Sequence, residues 1–163
     1  MFDSIKSWSP APLRAVLGFG FVYHGVPKLF SVGGHDMFVG MLSAIGVPAP
    51  GITAYFVGGV ELVGGLALIA GAFTAVASAV LIVNMLVAMF TVHLPQGFNF
   101  IHITGMTDAG PQFGMPGYEV TLLYIAGLAS ILISGGGAAS VGRTTTGFKP
   151  STAVAEIVNQ TAA

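Results

Sequence analysis

Apolar residues run along this chain in four long blocks, near residues 12–30, 53–71, 74–93 and 117–134, and the polar residues collect between them. At about 1.5 Å of rise per residue, each block approaches the roughly 30 Å of a bilayer's hydrocarbon core, so each is predicted to be a membrane-crossing helix. Pro10 and Pro12 suit the start of the first helix, where a missing N–H costs no hydrogen bond. Pro27 falls late in that block and is expected to kink the helix, or to end its regular part about one turn early. Within residues 31–51 the stretch MFVGMLSAIG is apolar but too short to span, which predicts a helix lying along the bilayer surface. Only GAFT, residues 71–74, separates the second and third blocks, so these form a tight antiparallel hairpin. The pattern predicts an all-α integral membrane protein over residues 1–142, a four-helix bundle with a short interfacial helix between helices 1 and 2. Residues 143–163 are expected to be a flexible cytoplasmic tail.

Composition supports a lipid setting: 54% of the 163 residues are hydrophobic, 7% are charged, and mean hydropathy is +0.87. So few charges cannot clothe a water-facing globule. A net charge of -1 without a basic run gives no reason to expect nucleic acid. The chain has no cysteine, which excludes disulfides, thiolate metal sites, iron-sulfur clusters and a thiol relay. No A-x-A-like cleavage site follows the first residues closely, so the first helix is expected to stay in place. Lys6, Arg14, Arg143 and Lys149 lie at one end of the predicted bundle and Lys28 alone at the other, which places both termini in the cytoplasm by the positive-inside rule. Gly18 with Gly25, Gly58 with Gly65, and Gly64 with Gly71 are each seven apart, so each pair lies near one helix face and permits close helix approach. Ala67 with Gly71, Ala75 with Ala79, and Ala126 with Ser130 add small-residue pairs four apart.

With that direction of travel, the ionisable residues inside the blocks fall at similar depth in the outer half. His24 lies roughly 9 Å below the outer end of the first helix and Glu61 roughly 12 Å below that of the second. His93 closes the third helix, and Tyr118 with Glu119 opens the fourth. An ionised Glu61 at that depth costs several kcal/mol and calls for a cation, with Lys28 or protonated His24 as partner, or else for a neutral carboxyl. Lys28 can instead snorkel to the surface, His24 can be a neutral imidazole bonded between helices, and Asn84 reads as an interhelical hydrogen-bonding group. His35, Asp36, His102 and Asp108 fall in the outer loops. Two imidazoles and two carboxylates at one depth can bind a divalent metal, hydrogen-bond a quinone's carbonyls or pass protons. No helix carries a metal-binding spacing, so no metal site is assigned.

The order and spacing of HGxxK at 24–28, ExxGG at 61–65, HxxxGF at 93–98 and GYE at 117–119 resemble the DoxX family of small four-helix bacterial membrane proteins, also grouped with DoxD. The resemblance covers residues 12–142. It implies a multi-pass protein of the bacterial inner membrane, linked in some relatives to quinone-dependent oxidoreductase complexes. Carried over by position, the family's polar pattern falls on His24, Lys28, Glu61, His93 and Glu119. The resulting expectation is a membrane subunit of a quinone-linked oxidoreductase with His24 and Glu61 as proton-handling residues. Lys28, His93, Glu119 and Tyr118 would bind the ligand, a quinone would be the cofactor, and a soluble or membrane oxidoreductase subunit would be the partner. The alternative is a non-enzymatic scaffold or a small-solute or proton carrier. Oligomerisation is left open, and the long 94–116 loop and the His35–Asp36 pair depart from the family pattern.

Overall fold

The computed structural model describes residues 7–141; the predicted tail, along with Lys6, Arg143 and Lys149, lies outside the described residues. Five helices carry the fold: α1 (Pro10–Phe30), α2 (Val32–Ala44), α3 (Pro50–Ala70), α4 (Thr74–Ala88) and α5 (Glu119–Ser134). The four longest pack in a ring, α1 on α3, α3 on α4, α4 on α5 and α5 back on α1, while α2 rests on α1 and α3. Leu17, Phe21, Leu68, Ala77, Leu81, Leu128 and Ile131 form the core between them. Most other large apolar side chains point outward, as expected where lipid covers the surface.

By length and composition, α3 and the helical run Thr74–Gln96 can each cross a membrane alone. α1 qualifies only when joined to α2 as one bent pair, because Arg14, His24 and Lys28 dilute its apolar character. α5, with 16 residues, reaches about 24 Å, shorter than the predicted fourth span because Gly117 and Tyr118 stay in the loop before it.

Pro27 does not end α1. The helix continues to Phe30 and breaks at Ser31, where α2 turns away by 96°. The bend is locally satisfied: Ser31 N–H donates to the Pro27 carbonyl at 3.2 Å, Ser31 Oγ accepts from Gly34 N–H at 3.3 Å, and His35 Nδ1 donates to the Lys28 carbonyl at 2.8 Å. A Cβ on Gly34 would sit 2.8 Å from the Pro27 carbonyl oxygen, so the bend needs glycine there.

The GAFT hairpin is as tight as predicted. Gly71 (φ +70°) closes α3 in the left-handed region, and Phe73 (φ +49°), an unusual residue there, opens α4. Gly71 therefore serves as a cap rather than sharing a packing face with Gly64, which instead faces Leu81 of α4. Ala79, Ala126 and Ser130 are exposed, so their four-residue spacings do not mark helix contacts.

The 94–116 link holds structure that its composition did not predict. A two-stranded antiparallel hairpin, β1 (Ile103–Thr107) and β2 (Gly110–Phe113), projects from it. Arg14 also differs from expectation. It was expected to flank the start of the first span, and it is 2% exposed, with Nε on the Leu68 carbonyl at 3.0 Å, Nη2 on Ala139 at 2.9 Å and Nη1 on Gly136. The Leu68 carbonyl lies in the last turn of α3, where the helix dipole favours a cation, and those of Gly136 and Ala139 lie in the segment that follows α5.

Candidate functional site

The site begins with the glycine pairs. α1 and α3 run antiparallel, and the two faces predicted by seven-residue spacing meet each other. A Cβ on Gly18 would lie 2.7 Å from the Gly65 carbonyl oxygen, and one on Gly25 would lie 2.9 Å from that of Gly58. Backbones this close bring the residues just beyond the glycines together. Lys28 Nζ lies 2.6 Å and 2.5 Å from the two carboxylate oxygens of Glu61. Asn84 Nδ2 of α4 donates to Glu61 Oε1 at 3.4 Å, and the Lys28 ammonium stands 4.3 Å from the centroid of the Phe38 ring on α2.

Four helices thus converge on one charge pair. Side-chain exposure is 16% for Lys28 and 9% for Glu61, so water screens the pair weakly. Losing either partner would leave a charge stranded in apolar surroundings.

The pair lines a cavity of about 380 Å³. Its walls are mainly apolar, with Phe21, Phe38, Met41, Met85 and Phe100 prominent, and Tyr124 adds a phenol. Gly20 makes room for that phenol, since a Cβ there would fall within bonding distance of the Tyr124 oxygen. His24 and His93 also line the cavity. His93 Nδ1 lies 2.8 Å from the Pro116 carbonyl; because a carbonyl only accepts, Nδ1 carries a proton, and in the neutral ring Nε2 keeps its lone pair. His93 ends a π-helical turn, Met89–His93, just before Pro95. Proline has no N–H and crowds the carbonyl four residues back, which loosens the regular α-helical bonding in the turn before it. His24 makes no hydrogen bond among the described residues and stands nearly perpendicular to the Tyr23 ring, 5.6 Å between centroids.

The structure therefore brings His24, Lys28, Glu61 and His93 to one cavity and leaves Tyr118 and Glu119 outside its lining. Tyr118 packs edge-on against Phe98 at 5.3 Å, and Glu119 Oε2 accepts the Phe100 N–H at 3.0 Å, which ties the loop to the start of α5. Their neighbours Gly117, Val120 and Thr121 line the cavity, but the direction of their own side chains takes them away from it. His35 stacks on Tyr55 at 4.1 Å, and His102 donates to the Met115 carbonyl at 3.0 Å. Among the described residues, no three His, Asp or Glu side chains converge as a metal site would need. Sequence reasoning missed Phe38 and Tyr124. The notch at Gly20 was the available signal for Tyr124, and the surface-helix assignment of α2 hid Phe38.

No curated protein and no solved structure matches the chain. The sequence model of the DoxX family matches residues 9–94, which include His24, Lys28, Glu61, Asn84 and His93 and stop where the hairpin-bearing loop begins. That match covers more than half of the chain, which places this membrane protein in the DoxX family.

Proposed function

We propose that the protein is the membrane subunit of a quinone-linked oxidoreductase system and that the cavity holds the quinone ring. The observation that carries this reading is the group Lys28–Glu61–Asn84 in the wall of a mainly apolar chamber of about 380 Å³. Ligand sites of small molecules commonly enclose roughly 300–1,000 Å³, with apolar walls and a few polar groups that fix orientation. A quinone offers a flat apolar ring and two accepting carbonyls; Lys28 and Asn84 supply donors, and protonated His93 would supply a third.

Reduction to the quinol takes two electrons and two protons. Glu61 or His24 handles a proton, and Lys28 stays bonded to the Glu61 carboxyl group until the ligand disturbs the pair. The electrons come from a soluble or membrane partner bearing its own redox cofactor. In this reading all four long helices cross the bacterial cell membrane, both termini are cytoplasmic, and the cavity lies toward the outer leaflet with α2 along the surface.

Binding of short-tailed benzo- and naphthoquinones to purified protein tests the reading. Wild type binds, while Lys28→Met and Asn84→Leu weaken binding; equal affinity in all three would overturn the assignment. A second reading, a scaffold or carrier without redox turnover, draws on the same ion pair, which also fixes the register of α1 on α3. It predicts that Glu61→Gln lowers stability and leaves quinone binding unchanged.

A further inference from the structure

Leu13, Leu17, Gly20 and His24 form one stripe on α1, spaced four, three and four residues apart. The lower part of this stripe meets α5. Leu13 and Leu17 reach Gly127, Gly20 admits Tyr124, and Phe21 packs edge-on against the Tyr124 ring at 5.3 Å. Antiparallel travel pairs position 17 with 127 and 20 with 124, so His24 comes level with Val120. His24 is exposed while it also lines the cavity, and half-buried Val120 lines the cavity as well. A side chain can do both only at an opening.

The surroundings of that opening are apolar. Phe19, Tyr23 and Val26 of α1 and Leu123 of α5 are exposed nearby, on the surface that lipid covers. An imidazole without a hydrogen bond in such a place is costly unless something polar reaches it. We infer that the cavity opens sideways into the bilayer between α1 and α5, with His24 at the threshold, and that a membrane amphiphile enters and leaves there. Its hydrocarbon tail lies through the seam, and its polar head reaches past His24 to the Lys28–Glu61 pair. This rests on the quinone reading for the identity of the head, and adds that the ligand is a tailed one drawn from the membrane rather than a small solute from water.

The chain has no cysteine, so single spin labels can be placed without background. His24→Cys, Phe19→Cys and Leu17→Cys are labelled, reconstituted in phosphatidylcholine vesicles, and scored for collision with dissolved oxygen, which concentrates among acyl chains. The label at 24 is expected to collide nearly as often as the one at the lipid-exposed position 19, and far more often than the one at the buried position 17. A benzoquinone with a ten-carbon tail then lowers the collision rate at 24 but not at 19, and the same ring with a methyl in place of the tail lowers it less. Low oxygen access at 24 from the start, whether from a closed seam or a second copy of the chain, overturns the inference. Equal effects of tailed and tailless rings overturn the tail's placement. Failure of either ring to bind at all defeats the quinone reading instead, and oxygen access at 24 still decides whether the seam is open. Should the label at 24 prevent folding, Val120→Cys carries the same readout from the facing helix.

Discussion

Gly25→Ala should loosen the molecule beside the Lys28–Glu61 pair, and the size of the effect can be worked out. The added Cβ would meet Leu62 N at 2.8 Å, the Gly58 carbonyl oxygen at 2.9 Å and Glu61 Cβ at 3.2 Å. Two of these three are backbone atoms, so the helices themselves must move apart. Overpacking of this kind costs about 1–3 kcal/mol. Moving Lys28 about 1 Å away from a carboxylate oxygen now at 2.6 Å costs about 2 kcal/mol more at an effective dielectric constant near 20. Alanine's better helix propensity returns about 1 kcal/mol. The net loss is about 2–4 kcal/mol, or a roughly 30- to 1,000-fold fall in the folded-to-unfolded ratio. Gly59→Ala, one residue past the facing Gly58, meets nothing within 4 Å and is the control. Reversible unfolding in detergent micelles should show Gly25→Ala destabilised, Gly59→Ala unchanged or slightly stabilised, and quinone affinity reduced only in the former. Equal stabilities would refute the view that backbone contact between α1 and α3 sets the Lys28–Glu61 distance.

Arg14→Met leaves the Leu68, Gly136 and Ala139 carbonyls without their donor and should cost about 3 kcal/mol or more in the same unfolding assay; Arg14→Lys should restore only part, since an ammonium cannot match the guanidinium fork. Lys28→Met strands the Glu61 charge and should destabilise by about 3–5 kcal/mol, while Lys28→Met with Glu61→Gln recovers part of the loss; additive effects in that double-mutant cycle would deny the pair any coupling. Glu119→Gln weakens the bond to Phe100 N–H by about 1 kcal/mol and should speed proteolysis within residues 97–116 while leaving quinone affinity intact. Ala49, held at φ +47° just before Pro50, should tolerate glycine with a gain of up to about 1 kcal/mol in unfolding free energy.

Spacing along the helices carried much of this architecture. Seven-residue glycine pairs named the faces of α1 and α3 that meet, and depth along the axis brought Lys28 and Glu61 to one layer. Azimuth was far less legible. Tyr118 and Glu119 start α5 at the right depth but turn toward the loop, and the π-helical turn before Pro95 alters the register of the helix that ends at His93, which α-helical counting does not anticipate. Arg14 looked like a membrane-flanking cation because sequence does not show that the segment after α5 folds back to offer it carbonyls. The 94–116 loop hid its hairpin because glycines and prolines break the alternation that reveals a strand.

The central claim is that the polar part of the cavity wall grips a ligand carbonyl. Infrared difference spectra with a quinone carrying ¹³C at its carbonyls read that contact directly. The account predicts that the labelled stretch moves to lower frequency when the quinone binds wild type, and that the shift is lost in Lys28→Met. A carbonyl stretch on the bound quinone that matches the free ligand in lipid, or one equally shifted in both proteins, would contradict it.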